Sequence, residues 1–382
     1  MAEILRTPDG GVNLARWRAA APGVAARLAG WFDGARRDLP WRRHRTPWRT
    51  WVSEVMLQQT QVAKVVPYFE RFCAAWPDVA DLAAAPLEPV LKAWEGLGYY
   101  ARARNLHRAA RVVAERHGGR VPDDLDALLA LPGLGPYTAR AVLSLGFDRP
   151  VAVVDGNVGR VLARLAAVDR PLRPGADPEI FRLAEVLLDR AAPRRHNEAL
   201  MELGALVCRP GRPACGACPL SPVCLARRRG RAADLPRRPP RRRRPHLQVT
   251  AAFIRDGAGR ILITRRPLDG MLGGLWEFPG GKREPGESLE ACIRREIREE
   301  LGVPIRVLGP LVTVRHAYTH FSIELHVFRA EIAAGTPRPL QCLDLAWAAP
   351  GELERYAFSG ADRKVLAALA AGQGPAAAGA SR

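Results

Sequence analysis

Four of the seven cysteines share one stretch, Cys208-x6-Cys215-x2-Cys218-x5-Cys224, and four thiolates so spaced suit either a zinc ion or a [4Fe–4S] cluster. A zinc ribbon uses two C-x2-C knuckles across a longer loop, whereas here one knuckle is flanked by loops of six and five residues. Two carboxylates stand out upstream. Glu54 lies in Trp51-Val52-Ser53-Glu54-Val55-Met56-Leu57-Gln58-Gln59-Thr60, where helical spacing puts Glu54, Gln58 and Gln61 on one face, away from Trp51 and Val55. Asp155 precedes a helical pattern. Capping is the ordinary role there, and the helix dipole favours the ionised carboxylate that would face a cation. Between them, Leu131-Pro132-Gly133-Leu134-Gly135-Pro136-Tyr137 can turn tightly and aim backbone N–H groups at a phosphate. Glu296, Glu299 and Glu300 fall at i, i+3, i+4 on one helical face and suit Mg²⁺ bound to a diphosphate.

The elements that position these groups divide the chain in two. From Leu14 to Val207 apolar residues recur at helical spacing, as in Trp51–Val52–Val55–Met56–Val62–Val66 and Val158–Val161–Leu162–Leu165, and no alternating strand interrupts them. An all-α domain over 14–207 is expected, followed by the cysteine loop at 208–224. An Arg/Pro linker over 225–246, with Arg241–Arg244 in a row, cannot bury a core. An α+β domain is expected over 247–370. In it Val249–Ile254 and Arg260–Thr264 flank Asp256–Gly259 as a hairpin would. A helix follows over Ser288–Leu301, with strands around Ile305–Val314 and Phe321–Phe328. Cys73, Cys292 and Cys342 sit in apolar surroundings and read as core thiols, and the Ala/Gly tail from Gly372 as disordered.

With 382 residues, 48% of them hydrophobic, the chain is long enough for two or three cores. A net charge of +19 points to a polyanionic partner, because Lys and Arg release condensed counterions when they bind phosphates. Glu3 and Asp9 stand where a secretory leader would be basic. No apolar run is long enough to span a bilayer, and clustered cysteines in a cytosolic chain speak for a metal site rather than disulfides.

These strings together resemble the MutY adenine DNA glycosylases of the helix-hairpin-helix (endonuclease III) superfamily, and the likeness runs over nearly the whole chain. It implies a multidomain protein: an all-α helix-hairpin-helix glycosylase with a [4Fe–4S] module on Cys208, Cys215, Cys218 and Cys224, plus a C-terminal α/β/α Nudix (MutT-like) fold. In that family the residue matching Glu54 protonates the adenine and the one matching Asp155 stabilises positive charge at the sugar C1′. The pair works as in a glycosidase, on a base flipped out of the duplex. Tyr137 stands where the related lyases carry a nucleophilic lysine, so a monofunctional glycosylase is expected. The resemblance further implies that Trp41, Arg42, Gln59 and Glu198 line the adenine pocket and that Tyr137 and Asn157 support catalysis. Gln58 and Tyr99 would wedge the duplex near the lesion and Gly133 and Gly135 would meet its backbone, while Arg209 and Arg212, between the first two cysteines, read equally as phosphate contacts or as solvated charges. His316-Ala317-Tyr318-Thr319-His320 is similar to the family's lesion-reading loop, so Tyr318, Thr319 and His320 are assigned to DNA as well.

The segment from Gly281 through Glu287 to Arg295-Glu296-Ile297-Arg298-Glu299-Glu300-Leu301-Gly302-Val303 is a complete Nudix box, which suits either an additional Mg²⁺-dependent pyrophosphohydrolase activity or a domain that only reads 8-oxoguanine. The expected reaction is hydrolysis of the N-glycosidic bond of adenine mispaired with 8-oxoguanine or guanine in double-stranded DNA. The expected protein is a cytoplasmic, nucleoid-associated bacterial monomer with no membrane contact. The alternatives are a glycosylase for another mispaired base, such as thymine opposite guanine, and a non-catalytic mismatch binder. Glu54 and the Nudix box weigh against the first, and the carboxylate pair against the second.

Overall fold

The computed structural model describes residues 11–173, 177–237 and 244–372. Arg241–Arg243 of the expected linker and the tail beyond Gly372 lie outside them. The chain divides into two compact units: Met1–Ala84 with Arg108–Arg241, and Ala85–His107 with Arg242–Arg382.

The described part of the first unit is helical, and each helix near the site has a local cause. Thr46 accepts from Arg49 N at 3.1 Å and Pro47 occupies the first turn, which starts the helix Pro47–Leu57. This helix stops at Leu57. Gln58 is its cap and Gln59 takes a left-handed φ of 56°, so the expected common face of Glu54, Gln58 and Gln61 does not form. The next helix, Val62–Ala75, buries Val65 rather than Val66. Asp155 caps the helix Gly156–Leu165, accepting from Val158 N at 2.6 Å. The helix Pro193–Leu206 crosses it closely: a Cβ added at Gly204 would lie 2.6 Å from Asn157 Cβ. Only glycine permits that approach. Trp17, Leu28, Phe32, Val161, Leu162, Ile180, Leu183, Leu200 and Leu203 fill the core between these helices and Leu14–Ala35.

The second unit carries two three-stranded sheets. β1 (His246–Ile254) runs parallel to β5 (Ser322–Ile332), which pairs antiparallel with β4 (Ile305–Ala317). β2 (Ile261–Arg265) sits between β3 (Trp276–Glu277) and β6 (Asp344–Ala348). The expected β1–β2 hairpin is therefore corrected: the two strands share one bridge, Arg255 to Ile261, and then part. Residues 279–283 occupy the edge of β1 that β2 would need, through Thr250 N to Gly281 O and Ala252 N to Pro279 O, both 2.8 Å. The helix Leu289–Leu301, capped by Ser288, packs Ile293, Ile297 and Leu301 against Ala252, Leu262 and Phe328. On the other side Phe253, Ile263, Phe278, Leu325 and Phe358 form a second core. Of the remaining cysteines, Cys73 and Cys292 are buried, and Cys342 is only half-buried.

Candidate active site

A cleft of about 840 Å³ in the first unit gathers residues scattered over 150 positions of sequence: Trp41, Arg42, Glu54, Gln58, Gln59, Gly133, Gly135, Tyr137, Asp155, Asn157 and Glu198 all line it. Glu54 is not a solvated surface residue: it is 4% exposed, on a helix buried along Trp48 and Thr50–Met56. Tyr137 Oη donates to Glu54 Oε2 at 2.6 Å. Burial pushes the Glu54 carboxyl up to about 7; the Tyr137 hydrogen bond and Arg42 oppose the rise, and the charges of Asp155 and Glu198 add to it. Burial, with Glu54 and Asp155 nearby, also raises Tyr137 well above its ordinary value, so it remains a donor.

Asp155 is held in its cap. Beside the Val158 N–H, Asn157 Nδ2 donates to Asp155 Oδ2 at 3.2 Å. Burial nevertheless wins over these donors and Arg160, and the carboxyl lies above its ordinary value. The expectation from the helix dipole alone understated the cost of removing water from this group.

On the cleft wall, Arg42 and Glu198 are bound to each other. Arg42 Nε reaches Glu198 Oε1 at 3.2 Å, and Nη2 reaches Glu202 Oε2 at 3.1 Å. Arg45 adds a second bond to Glu198 at 2.8 Å, and Arg37 donates three to Glu202, from its backbone N–H and Nε at 2.8 Å and from Nη2 at 3.0 Å. Sequence reasoning missed Glu202, Arg37 and Arg45, because nothing in their local pattern separates them from surface charges. Trp41 is buried edge-on against Phe69, with centroids 5.4 Å apart. Gln58 Nε2 donates to Thr138 Oγ1 at 3.1 Å, which ties the end of the Glu54 helix to the helix Pro136–Ala141 that follows the Gly133–Gly135 turn.

The four clustered cysteines line one small cavity with Val161, Leu165, Leu203, Val207 and Leu220. Burial raises Cys218 to about 11 and also raises Cys224; the other cysteines of the set push each further. Two buried or half-buried arginines that the sequence did not single out serve this loop. Arg164 Nη1 reaches Cys208 Sγ at 3.3 Å and Arg209 O at 2.9 Å. Arg160 donates through Nε to Cys208 O at 2.8 Å and through Nη2 to Asn157 Oδ1 at 2.7 Å. The cysteine loop and the Asp155 cap are thus joined by one side chain. Arg209 and Arg212 are exposed on the loop.

The remaining assigned residues belong to the second unit. Tyr99 sits in a left-handed turn with φ 50°, and its hydroxyl bonds Thr319 Oγ1. Tyr318 is half-buried, stacked on Phe321 with centroids 4.9 Å apart, while Thr319 and His320 are exposed. A second pocket of about 330 Å³ holds Glu296 and Glu300 but not Glu299, which Arg295 draws away at 3.4 Å. Glu277 and Asp362, absent from the sequence reading, share this pocket. Burial raises Glu277 to about 8, Glu300 to about 7 and Asp362 to about 6.

Residues 52–182 match the HhH-GPD superfamily base excision DNA repair protein family, and residues 250–368 the NUDIX domain. The adenine DNA glycosylase of Rattus norvegicus is 36% identical over 424 residues, covering 95% of this chain and 81% of that protein. The chain belongs to the adenine DNA glycosylase family. The Homo sapiens adenine DNA glycosylase is likewise 36% identical, over 89% of this chain and 72% of its own length. Among solved structures, a thermostable thymine-DNA glycosylase is 30% identical with a TM-score of 0.50, over 55% of this chain and 96% of that one. The HhH-GPD match spans both Glu54 and Asp155.

Proposed function

We propose that this member of the family hydrolyses the N-glycosidic bond of adenine mispaired with 8-oxoguanine or guanine in double-stranded DNA. The observation that carries the reading is one buried carboxyl, Glu54, held near neutrality at about 7 across a cleft from a second, capped one, Asp155. Departure of a purine requires a proton on the ring and tolerance of positive charge at C1′. With Oε2 accepting from Tyr137, Oε1 of Glu54 is left to carry the proton toward a base in the cleft. Asp155, fixed by Val158 N–H and Asn157, meets the charge on the sugar. Trp41, Arg42, Gln59 and Glu198 form the pocket wall. Gly133, Gly135, Arg209 and Arg212 take the DNA backbone, Gln58 and Tyr99 wedge the duplex near the lesion, and Tyr318, Thr319 and His320 read the base opposite adenine. With tyrosine at 137 the pocket lacks an amine nucleophile from that position, which favours hydrolysis without strand cleavage.

The cysteine cavity fits a [4Fe–4S] cluster held by Cys208, Cys215, Cys218 and Cys224. Four sulfur donors face one apolar-walled space and need positive charge to ionise. Their spacing, one C-x2-C knuckle between loops of six and five residues, favours a cluster over one zinc. A bound cluster would brace the loop bearing Arg209 and Arg212 by tying its four thiolates to one centre.

The experiment is single-turnover excision on an adenine:8-oxoguanine duplex with borohydride trapping. Release of adenine without trapped adduct is expected; efficient trapping would overturn the monofunctional assignment.

A second reading rests on the Nudix pocket. Mg²⁺ takes one or two carboxylates plus substrate phosphates and water, and Glu296 and Glu300 supply two. A nucleoside triphosphate pyrophosphohydrolase activity is proposed for it.

A further inference from the structure

The turn that presents Tyr99 is built against its own preferences. Gly96, Gly98 and Tyr99 have φ of 93°, 76° and 50°, and a tyrosine in the left-handed region is strained wherever its surroundings do not enforce it. One enforcer is internal. Arg102, 9% exposed, donates to Gly98 O at 3.0 Å and lies 5.4 Å over both the Trp94 and Tyr99 rings.

The other is Glu95, at the root of the turn. Its carboxylate accepts from Arg363 Nε at 2.6 Å and Nη2 at 3.0 Å, from the Phe358 backbone N–H at 2.8 Å, and from Lys92 Nζ at 2.9 Å. Such a bidentate, charge-assisted arrangement, with side chains 17% and 22% exposed, fixes direction as well as distance. Arg363 stands on the helix Gly360–Ala370, whose start is also fastened to the end of β4. The Gly360 backbone leaves no room for a Cβ beside the His316 ring, and Lys364 Nζ donates to Arg315 O at 2.7 Å. β4 ends two residues before Thr319, and Thr319 meets the Tyr99 hydroxyl. Glu95, the helix, the strand end and the Tyr99–Thr319 contact therefore close a ring.

Resting on the functional reading above, we infer that Glu95, through Arg363, is a positioning residue that holds Tyr99 and Thr319 as one composite reader of the base opposite adenine. It sets the preference for 8-oxoguanine over guanine without touching either base. Neither residue lines the excision cleft.

The test is the ratio of single-turnover rates on adenine:8-oxoguanine and adenine:guanine duplexes, in the full chain. Glu95→Gln and Arg363→Gln should each lower the ratio about tenfold, a size usual for coupling between contacting residues, chiefly by slowing the 8-oxoguanine substrate. The double variant should cost no more than either single one, and the exchange Glu95→Arg with Arg363→Glu should restore part of the ratio. An unchanged ratio in the singles overturns the inference, as does an equal fall on both substrates, which is what mere loss of structure would give. A wild-type chain that excises no adenine would instead overturn the functional reading beneath it, so the two failures are distinguishable.

Discussion

The Tyr137 hydroxyl reaches Glu54 Oε2 at 2.6 Å across 83 positions of sequence, where Glu54 is buried and Tyr137 half-buried. That bond lowers the Glu54 pKa while burial raises it, and burial wins, to about 7. If the protonated carboxyl is the working form, kcat/KM for adenine excision should fall as pH rises through about 7. Tyr137→Phe removes a donor to the anion, so it should move this alkaline limb upward. A limb that stays in place would separate Tyr137 from the acid's tuning.

Glu54→Gln should lower single-turnover excision by about 10²–10⁴-fold, the usual worth of a general acid, with duplex binding largely kept. It should also stabilise the fold, but only at high pH. The ordinary value is 4.5 and the folded value about 7, so the stability that neutral Glu54 contributes is complete below 4.5 and lost as pH rises through 7. A melting temperature raised at pH 8 and unchanged at pH 4 is the expected pair. A variant destabilised at both would show that Glu54 is mainly a structural group.

Asp155 separates cap from chemistry by the choice of substitution. Asn keeps an acceptor for Val158 N–H, now at 2.6 Å, whereas Ala does not. Asp155→Asn should therefore melt close to wild type yet lose about 10²–10³-fold in excision, as when charge stabilisation at a transition state is removed. Asp155→Ala should lose the same activity and in addition about 1 kcal/mol of stability. Equal activity in Asn and wild type would dismiss the C1′ role.

The cluster loop should fail through position rather than chemistry. Purified protein is expected to hold iron and absorb broadly near ~400 nm. Cys218→Ser should lower DNA affinity more than the rate of bond cleavage once DNA is bound. Because Arg160 joins Cys208 O to Asn157 Oδ1, Arg160→Ala should slow cleavage with the cluster still loaded. One zinc and no iron on metal analysis would refute the assignment.

What the sequence disclosed follows from how local each signal was. Asp155 as a cap and the helix it starts depend on neighbours three residues away, and were legible. Glu54 was legible as a residue but not as a buried one. Its amphipathic spacing implied one dry face, while the structure packs the turn Val142–Gly146 onto the helix as well, with Gly146 against Pro47. The β1–β2 hairpin misled because the competitor for that edge, residues 279–283, follows β3 and has no strand pattern of its own. Arg102, Arg160 and Arg164 were invisible: in a chain this rich in arginine, only tertiary structure separates a buried brace from a solvated charge.

The Nudix pocket supplies the last test. Burial raises Glu277, Glu300 and Asp362 around Arg266; Glu300 and Asp362 raise Glu277 further, Glu296 and Glu299 raise Glu300, and such crowding costs free energy when all of them ionise. Surplus carboxyls facing a pocket are unfavourable beside DNA phosphates, so a surface used only to read DNA has no need of them. A bound cation offsets the repulsion, and Glu296 and Glu300 are placed to hold one with a substrate's phosphates. The full chain, incubated with Mg²⁺ and 8-oxo-dGTP, should therefore form the monophosphate, and Glu300→Gln should abolish it while adenine excision continues. No turnover above the Glu300→Gln control across a panel of nucleoside triphosphates would leave the pocket a DNA-reading surface alone. Activity that survives Glu300→Gln would point to a contaminating hydrolase.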